Sequence, residues 1–401
     1  MGSIKFIKKY RKREWKPKKI DASLNKKLKN VQWGEYRMGD LFDILTTSSF
    51  NTDKLVDGEK YDYVTRTSLN QGVLKKTGFI NKENINEKGV WSLGLLQMDF
   101  FYRKKSWYAG QFVRKIVPKL EIKNGAILFF STILNMQKSR LLSVLVRDVD
   151  ETFLNTSIQL PTKDGKIDFD FMDDYISELE EERISELAAY LKISGLDNYK
   201  LLEDEKQVIK NFSNIKWKDY QIGNLFEKVK TKKLSYKAKN LPKEPVKDYI
   251  LPVLTSSFMN QGLNYYIPRN GATVIKNVIS IPSNSDVYRA YYQSREFTVL
   301  SDAYAVEWKN KEEKFESNEY LFTVSCINKV TDLAIYSYKN KLGGWNVVKN
   351  KYIKLPVNSS GEIDFEYMKT FIQAVKKLII KDVVLYKNKK IDLMKDIIKQ
   401  K

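Results

Sequence analysis

The chain has 401 residues, of which 42% are hydrophobic and 13% aromatic, so its length favours two or three folded domains. Its 70 lysines and arginines against 49 aspartates and glutamates give a formal charge of +21, which favours a polyanionic partner such as nucleic acid, although a general lysine-rich composition would give the same surplus. The absence of histidine, together with the single cysteine Cys326, excludes Ser-His-Asp and Cys-His catalysis, Cys/His zinc sites and intrachain disulfides.

The first predicted region is a basic N-terminal segment, residues 1–32. It lacks the apolar stretch of a signal peptide, and no run of eighteen apolar residues occurs anywhere in the chain. We therefore expect a cytoplasmic protein without a membrane span.

A tryptophan motif comes next and is used twice. WGEYRMGDLFDI at 33–44 matches WKDYQIGNLFEK at 217–228, with Trp, Tyr, Gly, Leu and Phe at one constant spacing. A helix is predicted to begin near Met38, and the aromatic residues Trp33, Phe42, Trp217 and Phe226 are expected in the cores. The repeat indicates two copies of one structural unit.

Each copy then carries an Asn-Gln-Gly turn, at 70–72 and at 260–262. Short stretches such as GAILFF (125–130) and DAYAVEW (302–308) predict strands. SIQLP and YIKLP predict a terminal strand in each copy, and the proline should end it. We expect a curved mixed or antiparallel sheet with a few helices in each copy.

Each copy closes on a repeated phrase, LPTKDGKIDFDFM at 160–172 and LPVNSSGEIDFEYM at 355–368, followed by an amphipathic helix. In the first helix, Asp168 is the predicted N-cap and Gly195 the predicted C-cap. This helix is acidic and the second is basic, which favours packing one against the other, although two solvated charged faces would look the same. A helix over 169–192 would measure roughly 36 Å, about one turn of B-DNA.

The repeated Trp-x-x-Tyr-x-x-Gly-x-Leu-Phe opening, the closing Leu-Pro strand and the long helix resemble the specificity subunits of bacterial type I and related bipartite type II restriction-modification systems, over residues 33–401. The resemblance implies two target-recognition domains that each read half of a split site in double-stranded DNA. It also implies that an antiparallel coiled coil separates the domains and docks methyltransferase or fused methyltransferase-nuclease subunits, and that the chain itself carries no catalysis.

The predicted fold class is therefore α+β, with two repeated target-recognition domains, each a curved β-sheet with helices, separated by two long antiparallel helices that form a coiled-coil stalk. The predicted boundaries are 1–32 for the basic segment, 33–163 for the first recognition domain, 164–214 for the central helical spacer, 215–358 for the second recognition domain and 359–401 for the C-terminal helical region.

Motifs for chemistry are missing from the sequence. It has no Pro-Pro pair, which the Asn/Asp-Pro-Pro-aromatic motif of an amino-methyltransferase needs, and no glycine-rich nucleotide loop, so we expect no cofactor and no metal. One alternative is a metal-dependent endonuclease acting alone from Asp99 and Glu121 beside Lys123. The other is an interaction protein that sequesters partners and reads no DNA.

Polar and basic residues on the predicted loops are the candidates for DNA contact, because Arg, Asn and Gln read bases while Lys, Arg, Ser and Thr hold phosphates. In the first copy they are Thr65, Arg66, Ser68, Asn70, Gln71, Arg103, Lys104, Lys105, Tyr108, Gln111 and Arg114. In the second copy they are Lys230, Lys232, Lys233, Thr255, Ser256, Asn260, Gln261, Asn284, Ser285, Tyr288, Arg289, Gln293 and Arg295. Alternatively, Asn-Gln-Gly is only a tight turn and the tyrosines are core residues. Because the framing residues repeat while the middles differ, two different half-sites are expected.

Overall fold

The computed structural model describes residues 22–400 and divides into two compact units, with the boundary between Leu187 and Ala188. Most of the predicted basic N-terminal segment, residues 1–21, therefore lies outside the described residues. Within residues 22–400, no helix combines the length and the apolar character needed to cross a membrane.

The first unit contains three small sheets with helices packed around them. Its strands are β1 (Trp33–Arg37), β2 (Phe42–Thr46), β3 (Tyr61–Val64), β4 (Val73–Thr77), β5 (Val90–Gly94), β6 (Asp99–Arg103), β7 (Trp107–Ala109), β8 (Val113–Pro118), β9 (Ser157–Lys163) and β10 (Lys166–Ile167). Its helices are α1 (Ala22–Asn30), α2 (Met38–Leu41), α3 (Asn124–Met136), α4 (Lys138–Leu142), α5 (Val149–Asn155) and α6 (Phe169–Ile193), the last of which runs into the second unit. The strand orders are β2-β8-β5-β6, β4-β3-β7 and β1-β9-β10.

The second unit repeats this plan, except that β10 has no counterpart. Its strands are β11 (Trp217–Gln221), β12 (Phe226–Lys228), β13 (Tyr249–Leu254), β14 (Leu263–Pro268), β15 (Val278–Pro282), β16 (Tyr291–Gln293), β17 (Thr298–Val299), β18 (Ala303–Trp308) and β19 (Tyr352–Pro356). Its helices are α7 (Glu203–Lys210), α8 (Ile222–Leu225), α9 (Ser317–Thr331), α10 (Trp345–Val348) and α11 (Phe365–Gln400). The orders β12-β18-β15-β16 and β14-β13-β17 match the first unit, and β11-β19 matches β1-β9, so the predicted α+β class with two repeated domains is confirmed. The coiled-coil stalk stays a prediction.

The two repeated phrases of the sequence pair with each other. In the first unit β1 lies antiparallel to β9, with Trp33 opposite Pro161, and in the second unit β11 lies antiparallel to β19, with Trp217 opposite Pro356. The tryptophan motif and the Leu-Pro phrase are therefore the two sides of one ladder, which explains why both recur together.

The glycine of the tryptophan motif permits a close backbone approach. A Cβ on Gly39 would lie 2.9 Å from the carbonyl oxygen of Leu154, and a Cβ on Gly223 would lie 2.9 Å from that of Lys349. Real Cβ atoms do not approach a backbone oxygen this closely. Any larger residue would push α2 or α8 away from the segment that leads into the terminal strand.

The Ile-Asp-Phe phrase begins each long helix as predicted. A carboxylate oxygen of Asp168 accepts the backbone N–H of Phe171 at 2.9 Å, and one of Asp364 accepts that of Tyr367 at 2.9 Å. These N-caps satisfy backbone donors that have no partner inside the helix. Gly195 ends α6 with a φ of +69°, so the predicted C-cap is also confirmed.

A short helix before each tryptophan strand packs against the long helix of the same unit. Leu24 on α1 is buried in the core that includes Tyr175 of α6. On α7, buried Glu205 binds Lys377 of α11, with 2.7 Å between the carboxylate and the ammonium. Helix α1 is thus an integral part of the first unit, although the sequence pattern had separated it as a basic segment.

Some local predictions were wrong. GAILFF lies in helix α3 and not in a strand. In a short apolar run, periodicity does not distinguish a buried helix from a buried strand. Strand β9 continues through Pro161 to Lys163. Phe42 and Phe226 are core residues as predicted, but Trp33 is 38% exposed and stacks on Phe129 at the surface of the first core.

Candidate nucleic-acid interface

Each unit presents one loop with the same unusual backbone. Loop 1 (Thr65–Gly72) joins β3 to β4, and loop 2 (Thr255–Gly262) joins β13 to β14. Asn70 and Gln71 have φ values of +47° and +54°, Asn260 and Gln261 have +48° and +55°, and a left-handed glycine follows each pair. Two consecutive non-glycine residues in this region cost on the order of 1 kcal/mol or more each. Such loops persist only where the surroundings fix them.

Local hydrogen bonds fix part of this conformation. The side-chain amide of Asn70 donates to the carbonyl oxygen of Val73 at 3.2 Å, and that of Asn260 donates to the carbonyl oxygen of Leu263 at 2.7 Å. Before the turn, the hydroxyls of Thr67 and Ser257 accept the backbone N–H two residues on, at 3.2 and 3.1 Å. The two loops therefore have the same local structure, although they differ in sequence at Arg66/Ser256 and Ser68/Phe258.

A buried side chain of the neighbouring sheet fixes the rest. Arg103 donates from Nη2 to the carbonyl oxygen of Gln71 at 2.6 Å and from Nε to Oγ of Ser92 at 2.9 Å. Gln293 donates to the carbonyl oxygen of Gln261 and to Oγ of Ser280, both at 3.0 Å.

Arg103 is a cation inside the protein. Burial lowers the pKa of its guanidinium to about 10, and the negative charge of Asp62 opposes that shift. The guanidinium therefore stays charged at neutral pH.

Loop 1 borders a cleft of about 610 Å³. Four predicted residues line it together, namely Thr65, Arg66, Ser68 and Gln111. The Arg66 guanidinium lies 5.2 Å from the ring centre of exposed Phe112.

The structure separates the predicted residues by exposure. Exposed are Arg66, Ser68, Asn70, Gln71, Lys104, Lys105, Gln111, Lys230, Lys232, Lys233, Asn260, Gln261, Arg289 and Arg295, and partly exposed are Thr65, Arg114, Ser256 and Asn284. Buried are Arg103, Tyr108, Thr255, Ser285, Tyr288 and Gln293.

Several of the predicted residues are held by partners within their own unit. Tyr108 donates its hydroxyl to the carbonyl oxygen of Asn81, at 2.9 Å. Ion pairs join Arg114 to Asp150 at 2.9 Å and Arg289 to Asp332 at 2.6 Å. These side chains support the fold in this structure.

Two apolar loop tips were missing from the residues predicted to contact DNA. Leu69 is 78% exposed and Met259 is 63% exposed, and each stands directly before the Asn-Gln-Gly turn. The sequence signal that could have identified them is that both stand at the same position of the repeat, directly before Asn-Gln-Gly. Apolar side chains at such tips suit contact with thymine methyl groups or base faces.

The carboxylates of the endonuclease alternative are not assembled into a metal site. Asp99 pairs with Lys138 at 2.5 Å and accepts a hydrogen bond from Ser68. Glu121 lies in the exposed connection between β8 and α3. Across residues 22–400, no group of three or more Asp, Glu, Cys or His residues is arranged to hold a metal ion.

Comparison with known proteins agrees with this architecture. A family model described as the type I restriction modification DNA specificity domain matches residues 30–189 and again residues 214–385. No curated protein sequence matches the chain at a significant level.

One solved structure gives a fold likeness at low identity. The S subunit of a type I restriction-modification system from M. genitalium superposes with a TM-score of 0.52 at 14% identity, over 95% of this chain and 96% of that one. The HsdS subunit from Thermoanaerobacter tengcongensis gives a TM-score of 0.29 at 13% identity, over 89% of this chain and 91% of that one. Because the two family matches cover more than half of its residues, the chain belongs to the type I restriction modification DNA specificity family, whose members are non-catalytic specificity subunits.

Proposed function

We propose that the chain reads an asymmetric bipartite DNA site, one half-site per unit, within a restriction-modification complex. The observation that supports this most is a repeated loop frame with unlike side chains. Loop 1 presents Arg66 and Ser68 where loop 2 presents Ser256 and Phe258. A guanidinium can donate two hydrogen bonds to guanine, whereas a serine hydroxyl reads bases with little selectivity. Equivalent places should therefore read different bases.

The exposed residues have separate roles in this proposal. Arg66, Asn70 and Gln71 in loop 1, and Asn260 and Gln261 in loop 2, read base edges. Solvent-exposed lysines neutralise phosphates, and these are Lys104, Lys105, Lys230, Lys232 and Lys233. The chain's formal charge of +21 supports this division, because phosphate contact supplies most of the non-specific affinity for DNA.

The long helices form the proposed stalk and the docking surface for methyltransferase subunits or fused methyltransferase-nuclease subunits. Helix α6 has 25 residues and α11 has 36, so they measure roughly 37 and 54 Å. On α11, Leu378, Ile379 and Leu393 are exposed by about half or more, which suits a helix that receives a partner. The surplus of acidic residues on α6 and of basic residues on α11 supports their antiparallel pairing.

The direct test uses the chain reconstituted with the methyltransferase subunits of its host. A library of DNA duplexes with randomised half-sites and spacers is scored by methylation. We expect a two-part consensus with unlike halves and a fixed gap, and Gln71→Ala or Arg66→Ala should relax one half only. Methylation without sequence preference, or relaxation of both halves, would contradict the proposal.

Two further results would favour the alternatives. Cutting of plasmid DNA by the chain alone in magnesium, abolished by Glu121→Ala, would indicate an endonuclease. Capture of methyltransferase subunits without any DNA preference would indicate a sequestering protein.

The stalk has its own test, because a helix of fixed rise acts as a ruler. Inserting four helix-forming residues between Ser185 and Ala189 lengthens α6 by about 6 Å and rotates the downstream part of the helix by roughly 40°. The preferred gap should grow by about one or two base pairs while both half-site sequences stay the same. An active complex with an unchanged gap would show that α6 does not separate the domains.

A further inference from the structure

We propose that Arg103 and Gln293 are positioning residues that hold loops 1 and 2 in the conformation that reads DNA, without touching DNA themselves. This inference rests on the proposed function. It also reassigns two residues that the sequence pattern places among the DNA contacts, since both side chains are buried, at 4% exposure each.

The two side chains occupy the same place in the two units. Arg103 is the last residue of β6 and pairs in register with Val90 of β5, while Gln293 is the last residue of β16 and pairs with Val278 of β15. Each reaches a serine two residues further along the neighbouring strand, Ser92 or Ser280. The hydrogen-bonding pattern is thus repeated although the residue type is not.

The target of both side chains is the carbonyl oxygen of the second left-handed residue. The bonds to Gln71 and Gln261 measure 2.6 and 3.0 Å. These bonds hold the carbonyl oxygen against the sheet. The tip residue two positions earlier, Leu69 or Met259, then points to solvent, which agrees with its high exposure. The clamp therefore couples a buried donor to the exposed reading surface.

The two side chains share an N–H group that donates a hydrogen bond to the loop carbonyl. They do not share a positive charge. Arg103 is a buried cation whose guanidinium lies 5.8 Å from the ring centres of both Phe101 and Trp107. Gln293 performs the same bonding without a charge. A glutamine at position 103 should therefore suffice for loop 1.

The experiment begins with Gln293→Met, which keeps the side-chain length and removes the donor. In the reconstituted complex, discrimination at the second half-site should fall by about tenfold, and backbone amides of residues 259–263 should exchange roughly tenfold faster, because the Gln261 carbonyl and the buried Ser280 hydroxyl both lose their donor. Discrimination at the first half-site should not change. The matched control is Gln221→Met. It removes a hydrogen bond from the Gln221 side-chain amide to Asn350, at the end of β11 and away from loop 2.

The first unit supplies a rescue test that is independent of charge. Arg103→Met and Arg103→Gln both remove the cation, but only Arg103→Gln keeps an N–H donor. We expect Arg103→Met to relax the first half-site and Arg103→Gln to preserve it, with Arg37→Met as the control because Arg37 donates to the Leu154 carbonyl outside loop 1. Thermal melting shows whether each variant is folded, and the arginine pair decides if Gln293→Met does not fold.

The outcomes separate the two proposals. If the unmodified complex shows no two-part preference, the proposed function itself fails. If the unmodified complex reads both halves but folded Gln293→Met or Arg103→Met keeps full discrimination, the clamp is refuted. Equal behaviour of Arg103→Gln and Arg103→Met would likewise refute it.

Discussion

Replacing Gly72 by alanine tests how tightly loop 1 is built. Gly72 has a φ of +80°, which costs an L side chain about 1–2 kcal/mol. The added Cβ would also lie 3.2 Å from Nη2 of Arg103, 3.3 Å from the carbonyl oxygen of Thr65 and 3.4 Å from Cδ2 of Phe101. Crowding of that kind adds about 1 kcal/mol or more, so the total should be about 3 kcal/mol.

Gly165→Ala is the matched control. Its φ is +74°, but nothing lies within 4 Å of the added Cβ, so the control carries the backbone cost alone. In a unit of this size, 1 kcal/mol corresponds to about 2–4 °C in the melting temperature. The melting temperature should therefore fall by roughly 9 °C for Gly72→Ala and by roughly 4 °C for Gly165→Ala.

The test is the difference in melting temperature between the two variants, because the left-handed backbone destabilises both of them equally. If Gly72→Ala melts no lower than Gly165→Ala, the packing of Arg103 and Phe101 around loop 1 is loose, and the reasoning fails. Gly262→Ala and Gly361→Ala form the same pair in the second unit, with φ values of +85° and +78°.

Two further predictions concern charge and burial. In double-stranded DNA binding measured against salt, replacing Lys104 and Lys105 by alanine should reduce the log-log slope by about 0.9 for each lost phosphate contact, and an unchanged slope would place both lysines away from DNA. Burial raises the pKa of the Cys326 thiol from about 9 to about 11. The stability gained by keeping this thiol neutral should be present below pH 9 and be lost toward pH 11. Iodoacetamide at pH 8.5 should label Cys326 only as the chain unfolds. Rapid labelling of the folded protein would contradict the burial of this thiol.

The frame of each unit could be predicted from the sequence because its constraints are local or repeated. The Asp168 cap needs only a carboxylate three residues before a free backbone N–H, and that spacing is visible in the sequence. The pairing of Trp33 with Pro161 joins two phrases that both recur, so the repeat marks them as parts of one unit. Exposure of Trp33 was missed because a surface aromatic stacked on Phe129 reads like a core residue.

The site could be predicted only in outline, since the decisive bonds join distant segments. The bond from Arg103 to Gln71 spans 32 residues, and no local pattern distinguishes a buried arginine from one that binds phosphate. The neighbouring lysines Lys104 and Lys105 are exposed in the same turn. Whether a basic residue faces DNA or the sheet depends on strand register, which places Arg103 opposite Val90.

The close match of the two loops indicates how one frame can serve two specificities. Gln71 and Gln261 have ψ values of 34° and 28°, so the backbones nearly coincide although Arg66 corresponds to Ser256. The conformation is set by groups outside the varied positions, namely the asparagine amide, the glycine and a buried donor from the sheet. Side chains on the exposed part of the loop can therefore change without a change in backbone. Because each loop is fixed within its own unit, substitution in one loop should leave the reading of the other half-site intact.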